Sequence, residues 1–308
     1  MMGERLLILG TGAMACWFAA RLAPHADIVM AGRWAAGLDA LRGRGVVLEQ
    51  NGSRVVHRVG VANYADELPP FGVALVLVKA YQTDAAAQRL AAWLAPDGVA
   101  VTLQNGLGNL EILTDALGEE RAALGITTAG ATLVEPGIVR SGGDGPTRLA
   151  RHVRTPAVVE LMRTADLDAD LSDDAVGLAW GKLVLSAAVN PITALLRIPN
   201  GDLLLPPARG AWEVAGEALD EGTAVARMAG IRVPFEDPRA ELERVLERTA
   251  DNRSSMLQDV ERGRPTEVEA INGAVVRHAQ VHAIPVPVNR LLLGLVRSLA
   301  APAGRGEA

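Results

Sequence analysis

The sequence predicts an α/β domain of the doubly wound type over residues 1–171, followed by an all-α domain over residues 172–308. Three observations predict it. Short β-like runs alternate with helical stretches through the first half. A glycine-rich turn stands between the first such run and the first helix, and β-like runs cease after about Ser172. The length of 308 residues suits about two domains, each with its own core, and a 49% hydrophobic content excludes a disordered chain.

Taken in order, Arg5–Leu9 and Ile28–Met30 read as strands separated by a helix over Gly12–Leu22. Ala74–Val78 is a continuous apolar run and Asp84–Leu94 has apolar residues at helical intervals. Val99–Leu103 reads as a further strand and Leu107–Leu117 as a further helix. Between Gly125 and Leu149, β-like pieces alternate with turns such as Glu135-Pro136-Gly137, which predicts antiparallel strands at the sheet edge. Ser172-Asp173-Asp174 caps a long helical pattern that is expected to stop at Asn190-Pro191. Helices are then expected over Ala211–Ala229, Pro238–Asp251, Pro265–His282 and Val288–Leu299, with a frayed tail from residue 300.

Charge and composition exclude some functions. A net charge of -6 and 3% aromatic residues disfavour nucleic acid, which needs a basic field or stacking platforms. One cysteine, Cys16, excludes a disulfide framework and fits a reducing, cytoplasmic compartment. The N-terminus loosely mimics an export signal, but its apolar run Leu6–Leu9 is shorter than the roughly 7–15 residues such a region needs. Leu178–Leu196 comes nearest to a membrane span and is interrupted by Lys182, Asn190 and Pro191.

Gly10-Thr11-Gly12-Ala13-Met14-Ala15 is a dinucleotide-type turn of the G-x-G-x-x-A form. Its first glycine permits the turn, its second lets backbone approach a pyrophosphate at a helix N-terminus, and Ala15 lets helix and strand pack closely. About 20 residues further on, an NAD site places a carboxylate for the ribose hydroxyls. Here that position reads Ala31-Gly32-Arg33. A guanidinium can grip a 2′-phosphate through its fork, which favours NADP, although most arginines are simply solvated. Lys79, after the run Ala74–Val78, is a second cation at a carboxyl end of the sheet.

In the second half, Lys182, Ser186 and Asn190 recur at i, i+4 and i+8 inside an otherwise apolar helix and so share one stripe. A lone lysine there would snorkel to water; three polar groups in line predict an inward-facing patch. Pro265 places Glu267 in a predicted first helical turn, where a carboxylate is at home for structural reasons alone. Ser254 and Ser255 have a capping reading beside a binding one. His278 and His282 share a helix face but lack the glutamate of a zinc-protease motif, so no metal is expected.

These residues resemble the ketopantoate reductases (2-dehydropantoate 2-reductases). The resemblance runs through nearly the whole chain: Gly10–Ala15, Leu77-Val78-Lys79-Ala80-Tyr81-Gln82-Thr83, Gln104-Asn105-Gly106-Leu107-Gly108, Trp180-Gly181-Lys182-Leu183, Asn200-Gly201-Asp202-Leu203 and, most specifically, Ser255 to Gly273. It implies a Rossmann-type domain and an all-α domain of the 6-phosphogluconate dehydrogenase C-terminal type. It also implies NADPH-dependent reduction of 2-dehydropantoate to (R)-pantoate on the route to pantothenate and coenzyme A. By the same resemblance Lys182 and Glu267 are catalytic, and Asn105, Ser186, Asn190, Asn200, Asn252 and Ser255 lie on the substrate side. Gly10, Thr11, Gly12, Ala13, Met14, Ala15, Arg33, Lys79, Asn105, Ala131 and Glu267 lie on the cofactor side. Ser186 departs from the asparagine expected there and opens the question of which 2-oxo acid fits. Alternatives are a paralogous reductase of another branched or bulky 2-oxo acid and a non-catalytic NADP-binding sensor. A small-molecule substrate, no nucleic acid and no membrane are the expected partners. A homodimer is compatible with alanine-rich helices that serve as core or interface equally well.

Overall fold

A computed structural model describes residues 5–50 and 52–299, so the tail from residue 300 lies outside the described residues. The chain divides into two compact units, one of residues 1–104 and 108–175, the other of residues 105–107 and 176–308.

The first unit runs β1 (Arg5–Leu9), α1 (Ala13–Leu22), β2 (Asp27–Gly32), α2 (Ala35–Arg44), β3 (Val46–Gln50), β4 (Ser53–His57), β5 (Gly60–Asn63) and β6 (Phe71–Val76). It continues with α3 (Thr83–Trp93), β7 (Leu94–Thr102), α4 (Asn109–Leu117), β8 (Ala122–Thr127), β9 (Gly130–Glu135), β10 (Ile138–Gly143), β11 (Thr147–Ala150), α5 (Thr155–Thr164) and β12 (Ala169–Ser172). The main sheet has the order β12-β11-β8-β7-β6-β1-β2-β5. Strands β5, β2, β1, β6, β7 and β8 pair in parallel. The chain crosses from β1 through α1 to β2 on one side and later returns to β6 on the other. This makes the β1/β6 boundary the topological switch point, where such sheets take their ligands. Leu7 and Leu9 face one apolar layer and Leu6 and Ile8 the other, as period-two alternation in a strand covered on both faces demands.

The strands after Gly125 do not all extend the main sheet. β8 joins it in parallel and β11 antiparallel, but the hairpin β9–β10 forms a second sheet with β3 and β4 in the order β4-β3-β10-β9. Its decisive contact is a parallel pairing of Val47 with Ile138, far apart in sequence and invisible to local patterning. This small sheet covers α1, whose Trp17 donates its indole N–H to Ser141 Oγ at 3.2 Å.

The second unit comprises α6 (Ala175–Leu196), α7 (Arg209–Met228), α8 (Pro238–Arg248), α9 (Ser255–Glu261), α10 (Asn272–Val281) and α11 (Pro287–Leu299). Its core gathers Trp180, Val184, Ala188, Leu219, Leu246, Leu257, Val275 and Val296. Helix α6 is long and apolar enough to cross a membrane, yet 61% of its most apolar window is buried within the fold, as expected of a core helix.

Helices α2, α5 and α9 have no counterpart in the sequence expectation, α8 ends three residues before the expected Asp251, and two further boundaries differ for identifiable reasons. Pro191 does not end α6, which continues to Leu196. An interior proline removes one N–H and crowds the carbonyl four residues back, at a cost of about 3 kcal/mol. Here that carbonyl, on Ala187, accepts the Asn272 side-chain amide at 2.9 Å. Nor does a helix begin at Pro265. Residues 267–271 form a turn in which the Glu267 carbonyl accepts the N–H of both Ala270 and Ile271, and α10 starts only at Asn272. Val268, Ile271 and Val275 are all buried, so apolar spacing continues across the break and hides it.

Candidate active site

In the first unit, the glycine turn follows β1 directly. Gly10 has φ +126°, a region that disfavours any side chain, and an added Cβ would meet the Leu77 carbonyl at 2.9 Å. Gly12 is the N-cap of α1 with no capping side chain, and a Cβ there would touch no protein atom within 4 Å. The first glycine is therefore required by the fold, whereas the second leaves open space at a helix N-terminus whose N–H groups and dipole favour an anion. Ala15 is fully buried and Thr11 nearly so, while Ala13 and Met14 are half-buried.

Arg33 follows the end of β2 and is exposed, with its guanidinium 5.8 Å from the centre of the Tyr64 ring. Burial pushes the Tyr64 hydroxyl up to about 12, against a smaller opposing pull from Arg33, so it stays neutral. Lys79 lies beyond β6, at the start of a single 3₁₀ turn. The loop holding it is tied down by Gln104, whose Nε2 donates to the Val78 carbonyl and to Thr83 Oγ1, both at 2.9 Å. Thr83 in turn donates to Asn109 Oδ1 at 2.8 Å. The glycine turn, Arg33 and Lys79 thus follow three adjacent strands, β1, β2 and β6. Ala131 lies in β9 of the small sheet, opposite Ser141 and half-buried against the layer that holds α1.

In the second unit, α6 presents Lys182, Ser186 and Asn190, all half-buried. Burial lowers the Lys182 ammonium from 10.5 to about 8, and the Glu267 carboxylate partly opposes that shift. Glu267, itself 6% exposed, accepts a long hydrogen bond of 3.4 Å from Asn105 Nδ2. Asn105 reaches it because residues 105–107 belong to this unit: the Leu107 N–H donates to the Ala270 carbonyl at 2.9 Å. Gly106, at φ +83°, packs so tightly on Ala270 that a side chain would collide with its carbonyl. Lys182, Glu267 and Asn105, distant in sequence, therefore form one cluster.

The remaining substrate-side residues sit on two neighbouring segments. The Asn200 N–H donates to the Asn252 carbonyl at 2.9 Å, and Asn200 Nδ2 to Thr249 Oγ1 at 3.1 Å. Asn200 thereby shapes the loop that carries the exposed Asn252. Ser254 caps α9 by accepting the Leu257 N–H, and its Oγ also accepts Thr193 Oγ1 of α6 at 2.8 Å. That leaves the half-buried Ser255 as the first helical residue. Gly106, Gln104 and Asn272 support the site without being among the expected site residues; they stand in the runs Gln104–Gly108 and Ser255–Gly273, where only the positive φ of Gly106 and contacts between residues distant in sequence reveal their work.

His278 packs edge-on against Trp180 with centroids 4.9 Å apart, and no group of metal-binding side chains occurs among the described residues. Cys16 lies in the α1 core, where burial pushes its thiol up to about 12.

A doubly wound unit with a nucleotide-type turn, joined to a helical unit with a desolvated lysine beside a carboxylate, defines a nicotinamide-dependent oxidoreductase. Comparison with known proteins narrows the class. The description "Ketopantoate reductase PanE/ApbA" matches residues 6–154 and its C-terminal counterpart residues 174–300, and the chain belongs to this family. It is 38% identical over 304 residues to a 2-dehydropantoate 2-reductase of Archaeoglobus fulgidus, covering 96% of this chain and 98% of that one. It is 34% identical over 302 residues to the Halobacterium salinarum protein of the same name, covering 95% and 98%. Among solved structures, a PanE/ApbA family ketopantoate reductase from Ralstonia eutropha superimposes with a TM-score of 0.89 at 28% identity, over 96% of this chain and 98% of that one. D-mandelate dehydrogenase with NADH and anilino(oxo)acetate superimposes at 0.90 over 96% and 98%, and at 22% identity that likeness is one of fold alone.

Proposed function

We propose that this chain reduces the ketone of 2-dehydropantoate to (R)-pantoate with NADPH, with the first unit holding the cofactor and the second the substrate. The observation that carries the reading is Lys182, an ammonium desolvated to a pKa of about 8 and held beside Glu267. Family membership and the names of the relatives support the substrate.

The residues of the first unit fit a dinucleotide. Gly12 leaves space at the start of α1, and Arg33 and Lys79 offer cations at the ends of neighbouring strands. Arg33 stands where a carboxylate would select NAD, and its guanidinium can pair with a 2′-phosphate. When bound, the reduced nicotinamide supplies a hydride to the ketone carbon.

Negative charge then grows on the carbonyl oxygen. Lys182 stabilises that charge and donates a proton from Nζ, so the ketone becomes a hydroxyl and the lysine is reprotonated from water. A pKa near 8 makes proton transfer easier than from an unperturbed lysine while leaving the group mostly charged at neutral pH. Glu267 keeps an anion beside the ammonium, and Asn105 orients that carboxylate. Ser255, Asn190 and Asn252 supply donors for the substrate carboxylate and hydroxyl, with Asn200 acting through the Asn252 loop. Ser186, shorter than asparagine, leaves room on the same stripe.

NADPH oxidation against a panel of 2-oxo acids tests this reading, with 2-dehydropantoate expected to give the highest kcat/KM. Lys182→Ala is expected to lower kcat by about 10²–10⁴-fold while NADPH still binds. Unchanged turnover in that variant, or a clear preference for another 2-oxo acid, would refute the corresponding part.

A further inference from the structure

We propose that Asn272 is a positioning residue for the reaction: its side-chain amide completes α6 at the gap left by Pro191 and holds the helix that carries Lys182, Ser186 and Asn190. The role in turnover rests on the reductase reading above; the coupling between Asn272 and Pro191 does not.

The argument starts from the backbone. In an α-helix the N–H of residue 191 would bond the carbonyl of residue 187, and proline has no N–H to give. The Ala187 carbonyl is thus orphaned one residue after Ser186, in the middle of the functional stripe. A helix so interrupted ordinarily kinks or breaks. Here Asn272 Nδ2 reaches that carbonyl at 2.9 Å and supplies the missing donor from another helix.

Asn272 is itself anchored. It is fully buried, and its second amide hydrogen goes to Asn289 Oδ1 at 3.0 Å. Asn289, also fully buried, donates to the Ala218 carbonyl at 2.9 Å and to Glu221 Oε2 at 2.8 Å. The Glu221 carboxylate accepts the backbone N–H groups of Val288 and Asn289, both at 2.9 Å, at the start of α11. One chain of hydrogen bonds therefore joins α6, α10, α11 and α7 through the interior. The Asn272 Oδ1 atom is buried without a hydrogen-bond partner among the described residues, a penalty an apolar side chain would avoid. What an apolar residue could not do is donate to Ala187.

The same residue controls the partner of Lys182. Asn272 closes the turn that begins at Glu267, in which Glu267 O accepts Ala270 and Ile271 and Val268 O accepts Gly273. Fixing Asn272 against α6 fixes Glu267 relative to Lys182 on that helix. The amide thus registers the two elements that hold the acid and the lysine.

A double-mutant cycle tests this. Asn272→Ala is expected to lower kcat about 10- to 100-fold, the scale of a small misplacement of catalytic groups, with KM for NADPH changed less than about twofold. Pro191→Ala restores an N–H for Ala187, so adding Asn272→Ala to it should lower kcat and Tm distinctly less than adding it to the native chain. Equal losses in the two backgrounds would overturn the proposal, as would a loss expressed in KM for NADPH with kcat intact. If Asn272→Ala alone does not fold, recovery of folded protein in the double variant supports the proposal and equal failure overturns it. The Tm arm of the cycle needs no substrate. A native chain inactive on 2-dehydropantoate would sink the reductase reading while that arm still decides whether the two residues are coupled.

Discussion

At the scale of single residues, chemistry is set by what surrounds a charge. Lys182 stands in an apolar stretch of α6, and burial brings its pKa to about 8. Reduction needs the protonated form, so kcat/KM, which reports the free enzyme, is expected to hold below that value and fall as pH rises through about 8, the basic limb belonging to Lys182. A kcat/KM profile flat to pH 10 would remove Lys182 as the proton donor. Arg33 acts differently, as a permanent charge just past the end of β2 with its guanidinium 5.8 Å from the centre of the Tyr64 ring. Arg33→Ala should raise KM for NADPH far more than KM for NADH, and an equal effect on both would argue against recognition of a 2′-phosphate. The Ser186 stripe position is legible from the i, i+4, i+8 spacing, whereas Glu267 is legible only through the family resemblance, because no local pattern links it to Lys182.

At the scale of elements, glycines that look alike in sequence do different things. Gly10 and Gly106 hold positive φ and press against backbone, while Gly12 has an ordinary φ of -85° and nothing near its missing side chain. Gly12→Ala should therefore leave Tm within about 2 °C of the native value, since a compatible surface substitution costs about 0.5 kcal/mol or less, yet raise KM for NADPH severalfold. Gly106→Ala should lower Tm and disturb the Asn105–Glu267 contact, costing about 1–3 kcal/mol for the strained backbone, as thermal unfolding would show. Reversed outcomes would mean that the open space at the start of α1 is not a ligand cradle. The strands and helices of the central α/β run were readable because short continuous apolar runs mark doubly covered strands and a 3.6 spacing marks the helices between them. Helix α6 past Pro191 and the turn before Asn272 were not, because a side chain from elsewhere and an uninterrupted apolar spacing decided them.

At the scale of the whole molecule, a net charge of -6 opposes two anionic ligands, so the proposed reading requires local recognition, for which Arg33, Lys79, Lys182 and the start of α1 are the candidates. Cys16 offers a probe of the whole first unit. Its thiol is fully buried in α1, is held neutral up to about 12 by burial, and lies 3.6 Å from the Thr11 carbonyl of the glycine turn. Alkylation then requires the unit to open. NADPH at about 100 times its Kd should slow labelling by about 100-fold, provided it binds only the closed form. Labelling at the same rate with and without NADPH would show that the cofactor does not favour the closed form of this unit.

The sequence by itself determined the α/β and all-α halves, the nucleotide turn, the cationic ends of the strands and the polar stripe of α6. Each of these is written within a few consecutive residues or one helical period. Only the tertiary structure decided that β9 and β10 leave the main sheet for β3, that residues 105–107 join the helical unit, and that Glu267 stands by Lys182. The physical reason is the same in each case: a strand pairing, a buried carboxylate or an orphaned carbonyl is satisfied by a partner distant along the chain, and no local pattern names that partner.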